Sequence, residues 1–405
     1  MSIYDDLLEK TPEGLRVPAT LRFPGACEAS RGTVIACGCA TQAGGYAKSL
    51  GASRLAIIAD KILLQLDMLS PLTKALDEQQ IAYCIFSDIA PEPHTADLDA
   101  AGRAARDFGA DAVLGIGGGS SLDTAKVTAC MLTENASAAD IMTGKVAFHR
   151  HVPLILLPTT SGTGSEVSPY AVASHNGKKL FISSPEAIAD IALVDPLMTA
   201  TMPPKVTAFT GLDALTHAVE GACGCANPFA KALAVQAVEL AFEALPAAVK
   251  DGTDLYARTK MAYASVLGMM AYTLGGGLYA HSASYILTLS KNMPHGLGCG
   301  LTLPYTLAMN MDSIKALLEG FIPAITRSGI ATPRTASEVP AAFLALVKAV
   351  GSPATLAELG YNEADIPAFA HTLYADYYRA KNPRQVEEGD LITLVEMMYN
   401  GRTNQ

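Results

Sequence analysis

The chain has 405 residues, half of them hydrophobic and 17% charged, with 29 Lys and Arg against 39 Asp and Glu for a net charge of −10. That length accommodates two domains with sizeable cores, and the acidic balance, with basic residues clustering no further than pairs such as Lys178-Lys179, argues against a nucleic-acid partner. The opening run MSIYDDLLEKTPEG is polar and acidic rather than a signal peptide, no stretch reads as a membrane span, and eight scattered Cys lack the density of a disulfide scaffold, which together predict a cytoplasmic protein with free thiols.

In chain order, LAIIAD (55–60) reads as a strand followed by a helix through about residue 79. The strand IAYCIF (81–86), a helix over about 96–108, the strand AVLGIG (112–117) and a helix from about 121 follow. VPLILLP (152–158) is a strand whose apolar run suits burial on both faces, and 168–183 and 189–194 look like further strands. This alternation predicts a parallel α/β sheet. After Pro203-Pro204 strand signals nearly vanish, and long Ala-, Leu- and Met-rich helical patterns run to the end, broken at Asn227-Pro228, Gly275 to Gly277 and Pro304. The expected organisation is therefore an α/β domain over 1–205 and an all-helical domain over 206–405. Cys37-Gly38-Cys39 and Cys223-Gly224-Cys225 read as small core or loop residues rather than metal sites.

Gly117-Gly118-Gly119-Ser120 follows a strand and opens a helix, so backbone amides there can approach a pyrophosphate at a helix N-terminus. The spacing, GGGS-x-x-D ending at Asp123, is not the usual GxGxxG fingerprint. A second polar loop, PTTSGTGSEVS (158–168), offers Thr159, Thr160, Ser161, Thr163 and Ser165 after a buried strand. Two such loops at the carboxyl ends of parallel strands form the crevice where α/β sheets bind ligands. Asp60, at the end of its strand, reads either as a ribose-binding carboxylate that selects NAD over NADP or as a helix cap. Lys179 is placed with these cofactor contacts.

Asp213 and His217 stand at i and i+4 in GLDALTHAVE, so both side chains share a helix face. His281 and His295 bracket a stretch that opens helical and ends at Met293-Pro294, where a turn can bring His295 back. One carboxylate and three imidazoles suit a divalent metal, a set that accepts Fe2+, Zn2+ or Mn2+ without choosing among them. Singly, each has a plainer reading as a cap, a core histidine or a turn residue. His149 and His151 read as surface residues, His94, His175 and His371 match no ligand spacing, and Asp195-Pro196 ends a strand.

The runs GIGGGSSLDTAK (115–126), PTTSGTGSEVS (158–168), ALVDPLMTATMPPKVTAFTGLDALTHAVE (192–220) and HSASYILTLSKNMPHGLGCGLTLP (281–304), with SPATLAELGYNEADIP and NPR (382–384) in the tail, resemble the iron-containing (group III) alcohol dehydrogenase family over nearly the whole chain. The resemblance implies a dinucleotide-binding α/β domain and a helical domain with metal and substrate in the cleft between them. It also implies metal ligands at Asp213, His217, His281 and His295, NAD(H) as cofactor, and at least a homodimer. Three departures stand out. Where many members carry a further His in the proton relay, this chain has Tyr285, as do branches resembling 4-hydroxybutyrate dehydrogenase and hydroxyacid–oxoacid transhydrogenase. Lys291 stands where many members have a non-basic residue, and a cation there can pair with an anionic substrate tail. The family's Pro-Asn-Pro near the cofactor reads Pro91-Glu92-Pro93.

The resulting expectation is an NAD(H)-linked, metal-dependent reductase of a short aldehyde bearing an acidic group, of the succinic semialdehyde, sulfoacetaldehyde or phosphonoacetaldehyde type, with Tyr285 and Lys291 at the reacting end. A general short-chain alcohol or diol dehydrogenase is the alternative within the class. A dehydroquinate-synthase-like lyase and a non-catalytic binding protein are the alternatives outside it.

Overall fold

The computed structural model describes residues 2–22, 32–148 and 151–404. The chain divides into two compact units, one made of Met1–Thr160 and Gly164–Ala200, the other of Ser161–Thr163 and Thr201–Gln405.

The first unit is built on a seven-stranded sheet. Its strands are β1 (Ala19–Arg22), β2 (Gly32–Ile35), β3 (Arg54–Ala59), β4 (Ala82–Phe86), β5 (Ala112–Gly117), β6 (Leu154–Pro158) and, after the separate hairpin strands β7 (Tyr170–His175) and β8 (Lys178–Ser183), β9 (Ile191–Val194). The order is β1-β2-β9-β6-β5-β3-β4, all parallel except β1, which pairs antiparallel with β2 at one edge. All of β5 and β6 is buried, as strands covered on both faces require, and their continuous apolar runs carry no alternation.

Segment 168–183 does form strands, as expected, but apart from the main sheet: it folds on itself as the β7–β8 hairpin, turned by Asn176 and Gly177, both at positive φ. Asn-Gly tolerates that geometry, which matches the twist of the flanking strands. The single helix expected between 60 and 79 is two, Lys61–Gln65 and Ser70–Glu78, separated at Asp67, where φ is 53°.

β3 leads to β4 on one side of the sheet, whereas β5 leads to β6 on the other. The chain therefore reverses its winding between β3 and β5, the position at which open α/β sheets bind ligands in the loops that follow the strands. Helix α1 (Gly119–Thr133) starts at that point, with Gly118 as its N-cap.

The second unit is helical. Its principal helices are α2 (Pro204–Cys223), α3 (Pro228–Lys250), α4 (Leu255–Gly275), α5 (Tyr279–Lys291) and α6 (His295–Ser328). Pro204 at the first turn of α2 and the Asn227 side chain accepting the Phe229 amide at 2.9 Å set two of the helix starts. Pro304 does not end a helix: it lies inside α6, whose bend falls at Ile314. Helix α3 is long and apolar enough, by length and composition, to cross a membrane, which the sequence reading did not anticipate. Its Ala234, Val238, Ala241, Phe242 and Leu245 are nonetheless buried in the core of the unit.

α2, α5 and α6 approach closely because small residues line the contacts. A Cβ on Gly296 would fall 2.1 Å from the Phe209 carbonyl oxygen, and one on Gly298 would fall 2.8 Å from the Ser284 Cα. The three helices that carry Asp213, His217, His281 and His295 are thereby drawn together.

Candidate metal and cofactor sites

Asp213 and His217 are both buried on α2, and the carboxylate Oδ1 lies 4.0 Å from His217 Nε2. His281 comes from the first turn of α5. His295 opens α6 after a turn through Asn292, at φ 52°, and Pro294. Its Nε2 is 3.8 Å from the same Asp213 Oδ1. The imidazole rings of His217 and His281 are 4.8 Å apart and those of His281 and His295 are 5.5 Å apart. A fifth group joins them: one ligand atom each from Asp213, His281, His295 and Cys299 all lie within 4.8 Å of one another.

Two of these atoms carry the argument for a cation. Asp213 Oδ1 and His281 Nε2 are buried and have no hydrogen-bond partner among the described residues. Such an orphan costs about 1–3 kcal/mol, more when charged, unless something satisfies it. Burial opposes ionisation of Asp213, but electrostatic interaction with the neighbouring His217, His295 and His281 outweighs it and holds the carboxyl below its ordinary value. Burial, and then His217, push His281 well below the usual imidazole range, so it stands neutral at pH 7 with a lone pair to offer. The donor set fits a divalent metal.

Each imidazole is held in the tautomer that ligation requires. Glu220, buried on α2, takes His281 Nδ1–H at 2.6 Å and also the amides of Leu278 at 2.7 Å and Ala280 at 2.6 Å. One carboxylate therefore caps the N-terminus of α5 and aims His281 Nε2 inward. His217 Nδ1 faces the Gly162 carbonyl at 3.3 Å; a carbonyl only accepts, so the proton sits on Nδ1 and Nε2 is left as the donor atom. Ser284 gives its hydroxyl hydrogen to the His295 carbonyl at 2.6 Å, so its Oγ accepts from His295 Nδ1–H at 2.8 Å. Burial pushes the Cys299 thiol well above its usual range, with Asp213 and Glu220 adding to it. Cys299 is thus a protonated thiol beside Asp213, a weaker ligand than a neutral imidazole.

Tyr285 lies one turn after His281. Its ring stacks on His295 at 5.4 Å and 18° and meets Tyr377 at 5.9 Å. Burial pushes its phenol up to about 12. Tyr272 closes the other side, 4.8 Å from His217 and 4.9 Å from His281 between ring centres.

Lys291 is elsewhere. It is exposed at the end of α5, its Nζ donates to the Gly360 carbonyl at 2.7 Å, and it sits 4.4 Å over the Tyr361 ring. The structure does not bring it to the histidines.

In the first unit, Asp60, Gly117, Gly118, Gly119, Thr159 and Thr160 gather at the carboxyl ends of β3, β5 and β6. Gly117 has φ 149°, and a Cβ there would lie 2.7 Å from Ser121 Oγ and 3.2 Å from Asp60 Cβ. That leaves a bare backbone cradle at the N-terminus of α1, suited to a pyrophosphate. Asp60 caps its helix through the Ile62 amide at 3.2 Å. Ser120 donates to the Pro91 carbonyl at 2.5 Å, and Asp123 accepts from Ser165 Oγ at 2.6 Å and the Val172 amide at 2.9 Å, so these side chains brace the two loops. Lys179, on the hairpin, pairs with Glu92 at 3.1 Å. Thr163 belongs with Gly162 in the helical unit.

The remaining candidates are structural. Asp195 accepts Tyr4 OH at 2.6 Å and the amides of Gly38, Ala40 and Leu197. Cys37 and Cys39 are buried thiols. The His151 side chain is almost wholly buried rather than on the surface, with Nδ1 against the Val152 carbonyl at 2.5 Å, and His149 lies outside the described residues.

The family described as "Iron-containing alcohol dehydrogenase" matches residues 31–196, and "Fe-containing alcohol dehydrogenase family, C-terminal" matches 207–399. The chain belongs to the iron-containing alcohol dehydrogenase family. Membership makes it an alcohol–aldehyde oxidoreductase and sets aside the lyase and non-catalytic alternatives. Long-chain-alcohol dehydrogenase 1 of Geobacillus thermodenitrificans is 33% identical over 365 residues, covering 87% of this chain and 91% of that protein. Sulfoacetaldehyde reductase of Bilophila wadsworthia is 30% identical over 370 residues, covering 89% and 96%. The solved structure of sulfoacetaldehyde reductase from Bifidobacterium kashiwanohense in complex with NAD+ superposes with a TM-score of 0.82 at 29% identity, covering 89% of this chain and 95% of that one.

Two outcomes follow. Glu220→Gln removes the anion that orients His281 and weakens metal binding by roughly 10–100-fold; chelator competition on the purified protein measures it, and unchanged affinity would mean Glu220 only caps α5. A phenol raised to about 12 stays protonated across the working range. Wild-type and Tyr285→Phe pH–rate profiles between about pH 6 and 9 should therefore share their midpoints, whereas a limb lost in Tyr285→Phe would make Tyr285 a titrating relay.

Proposed function

We propose that this chain interconverts a short aldehyde and its primary alcohol with NAD(H), using one divalent metal held by Asp213, His217, His281 and His295, and that the aldehyde carries an acidic group. The observation that carries the proposal is the pair of buried orphans, Asp213 Oδ1 and His281 Nε2, at the centre of three imidazoles already fixed as Nε2 donors. When bound, the metal supplies Lewis-acid polarisation of the carbonyl oxygen and NAD(H) the hydride. The family name supports Fe2+, though the donor set also accepts Zn2+ or Mn2+.

The chain's own residues prepare the site. Glu220, the Gly162 carbonyl and Ser284 hold the imidazoles in place before ligand arrives, so little reorganisation is left for the reaction. Tyr272 and Tyr285 wall the site with aromatic surface. Tyr285 OH, protonated throughout, can donate a hydrogen bond to a substrate oxygen but does not take a proton near neutrality. On the cofactor side, the amides around Gly117 to Gly119 suit the pyrophosphate, Thr159 and Thr160 border it, and Asp60 suits the ribose. Ser120, Asp123 and Ser165 act by shaping the loops. The family likeness also supports an assembly of two or more copies.

The acidic aldehyde is supported by Tyr285, as in the family branches that take carboxylate-bearing substrates, and by the two sulfoacetaldehyde reductases among the similar proteins. Lys291 no longer supports it.

NADH oxidation by Fe2+- and Zn2+-loaded protein should be compared for sulfoacetaldehyde and succinic semialdehyde against propanal and butanal. The anionic aldehydes should lead by tenfold or more in kcat/KM; parity would favour a general alcohol dehydrogenase. His281→Ala should lose bound metal and turnover together, and full metal content in that variant would mean the ligand is misassigned.

A further inference from the structure

An acidic substrate tail needs a cation near the imidazoles, and Lys291 is committed to the Gly360 carbonyl and the Tyr361 ring. Another cation meets the requirement. Arg379 follows the helix Ile366–Asp376, is half-buried, and donates through Nε to Ser282 Oγ at 2.7 Å. Ser282 is the residue after His281, and its hydroxyl is given to the Tyr377 carbonyl at 3.0 Å. Tyr377, two residues before Arg379, meets Tyr285, which in turn stacks on His295. The guanidinium is thus pinned at one nitrogen beside the ring cluster. Its Nη1 and Nη2 have no acceptor among the described residues, unlike Arg384, whose nitrogens are taken by Met309 O, Gln385 O and Asp390.

From this geometry we infer that Arg379 is the anion-binding, specificity-determining residue, its two terminal nitrogens receiving the carboxylate or sulfonate of a short aldehyde whose carbonyl end lies at the Asp213–His281–His295 cluster. The inference rests on the acidic-aldehyde reading and names the group that would produce it. A planar fork with two free N–H-bearing nitrogens matches two oxygens of one anion side by side, which an ammonium cannot do. The same charge is felt at the cluster: Arg379 favours ionisation of Tyr285 and Tyr272 and disfavours protonation of His281. A half-buried position strengthens that pairing relative to a surface lysine. Sequence reading passed Arg379 over because it lies in a loop, nearly a hundred residues after His281, with no periodicity to place it.

The test uses metal-loaded protein with NADH and matched aldehydes, sulfoacetaldehyde and succinic semialdehyde against butanal, and reads KM and kcat separately. Ethanesulfonate, which cannot react, serves as a binding probe by competitive inhibition. Arg379→Gln should raise KM for the anionic aldehydes tenfold or more, lower the anionic-to-neutral kcat/KM ratio by the same factor, and abolish inhibition by ethanesulfonate. Arg379→Lys, which keeps the charge and loses the fork, should fall between, and it serves if Arg379→Gln does not fold. Lys291→Gln should leave the ratio unchanged. A ratio that moves less than twofold in Arg379→Gln, or equal losses toward anionic and neutral aldehydes with metal content intact, would overturn the subsite and leave the acidic-aldehyde reading standing. A wild-type enzyme with no preference for anionic aldehydes and no inhibition by ethanesulfonate would overturn both.

Discussion

A carboxylate oxygen and an imidazole nitrogen, buried a few ångströms apart with no hydrogen-bond partner among the described residues, govern the helical unit. Asp213 Oδ1 and His281 Nε2 could each have been satisfied by a hydroxyl or an amide, as most buried polar groups are. Instead the surroundings keep both open. Helices α2, α5 and α6 bring the charge inside only because Gly296 and Gly298 let backbones nearly touch. A fold that spends stability on an unsatisfied acid–imidazole cluster implies a cation that repays it on binding.

The surrounding shell makes the cluster specific. Three unrelated acceptors, the Glu220 carboxylate, the Gly162 carbonyl and the Ser284 hydroxyl, each take an Nδ1 proton and so fix three Nε2 lone pairs. Glu220 does this while satisfying two amides at the start of α5, so the orientation of His281 and the integrity of its helix share one group. The placement of Gly162 is equally economical. Its carbonyl holds His217, and any Cβ there would collide with Thr210, 2.7 Å away. The polar loop that reads in sequence as a cofactor loop therefore also serves the imidazoles.

Much of this was legible in the chain. The unbroken apolar runs of β5 and β6 announced buried parallel strands, and the i, i+4 spacing of Asp213 and His217 announced a shared helix face. Glu220 was missed although a signal existed: it stands seven residues after Asp213, close to two turns, on the same face. Cys299 likewise follows His295 by four. Lys291 could have been discounted the same way, since ten residues after His281 turn it away from the imidazole face while Tyr285, four residues on, stays with it. The β7–β8 hairpin carried its Asn176-Gly177 turn openly, but strand propensity alone could not tell a private hairpin from two more strands of the main sheet. β1 and β2 are four residues each, too short for any periodicity to emerge. Arg379 depended wholly on tertiary placement.

The central claim is that three imidazoles and one carboxylate share a metal while the neighbouring thiol stays out. X-ray absorption on protein reconstituted with one zinc per chain tests it most directly, because nitrogen and oxygen ligands lie at about 2.0–2.1 Å and sulfur at about 2.3 Å. A first shell of nitrogen and oxygen alone, with the outer scattering of imidazole rings, is the expected result. A sulfur at the longer distance would put Cys299 in the place assigned to His217, and the absence of bound zinc would contradict the site altogether.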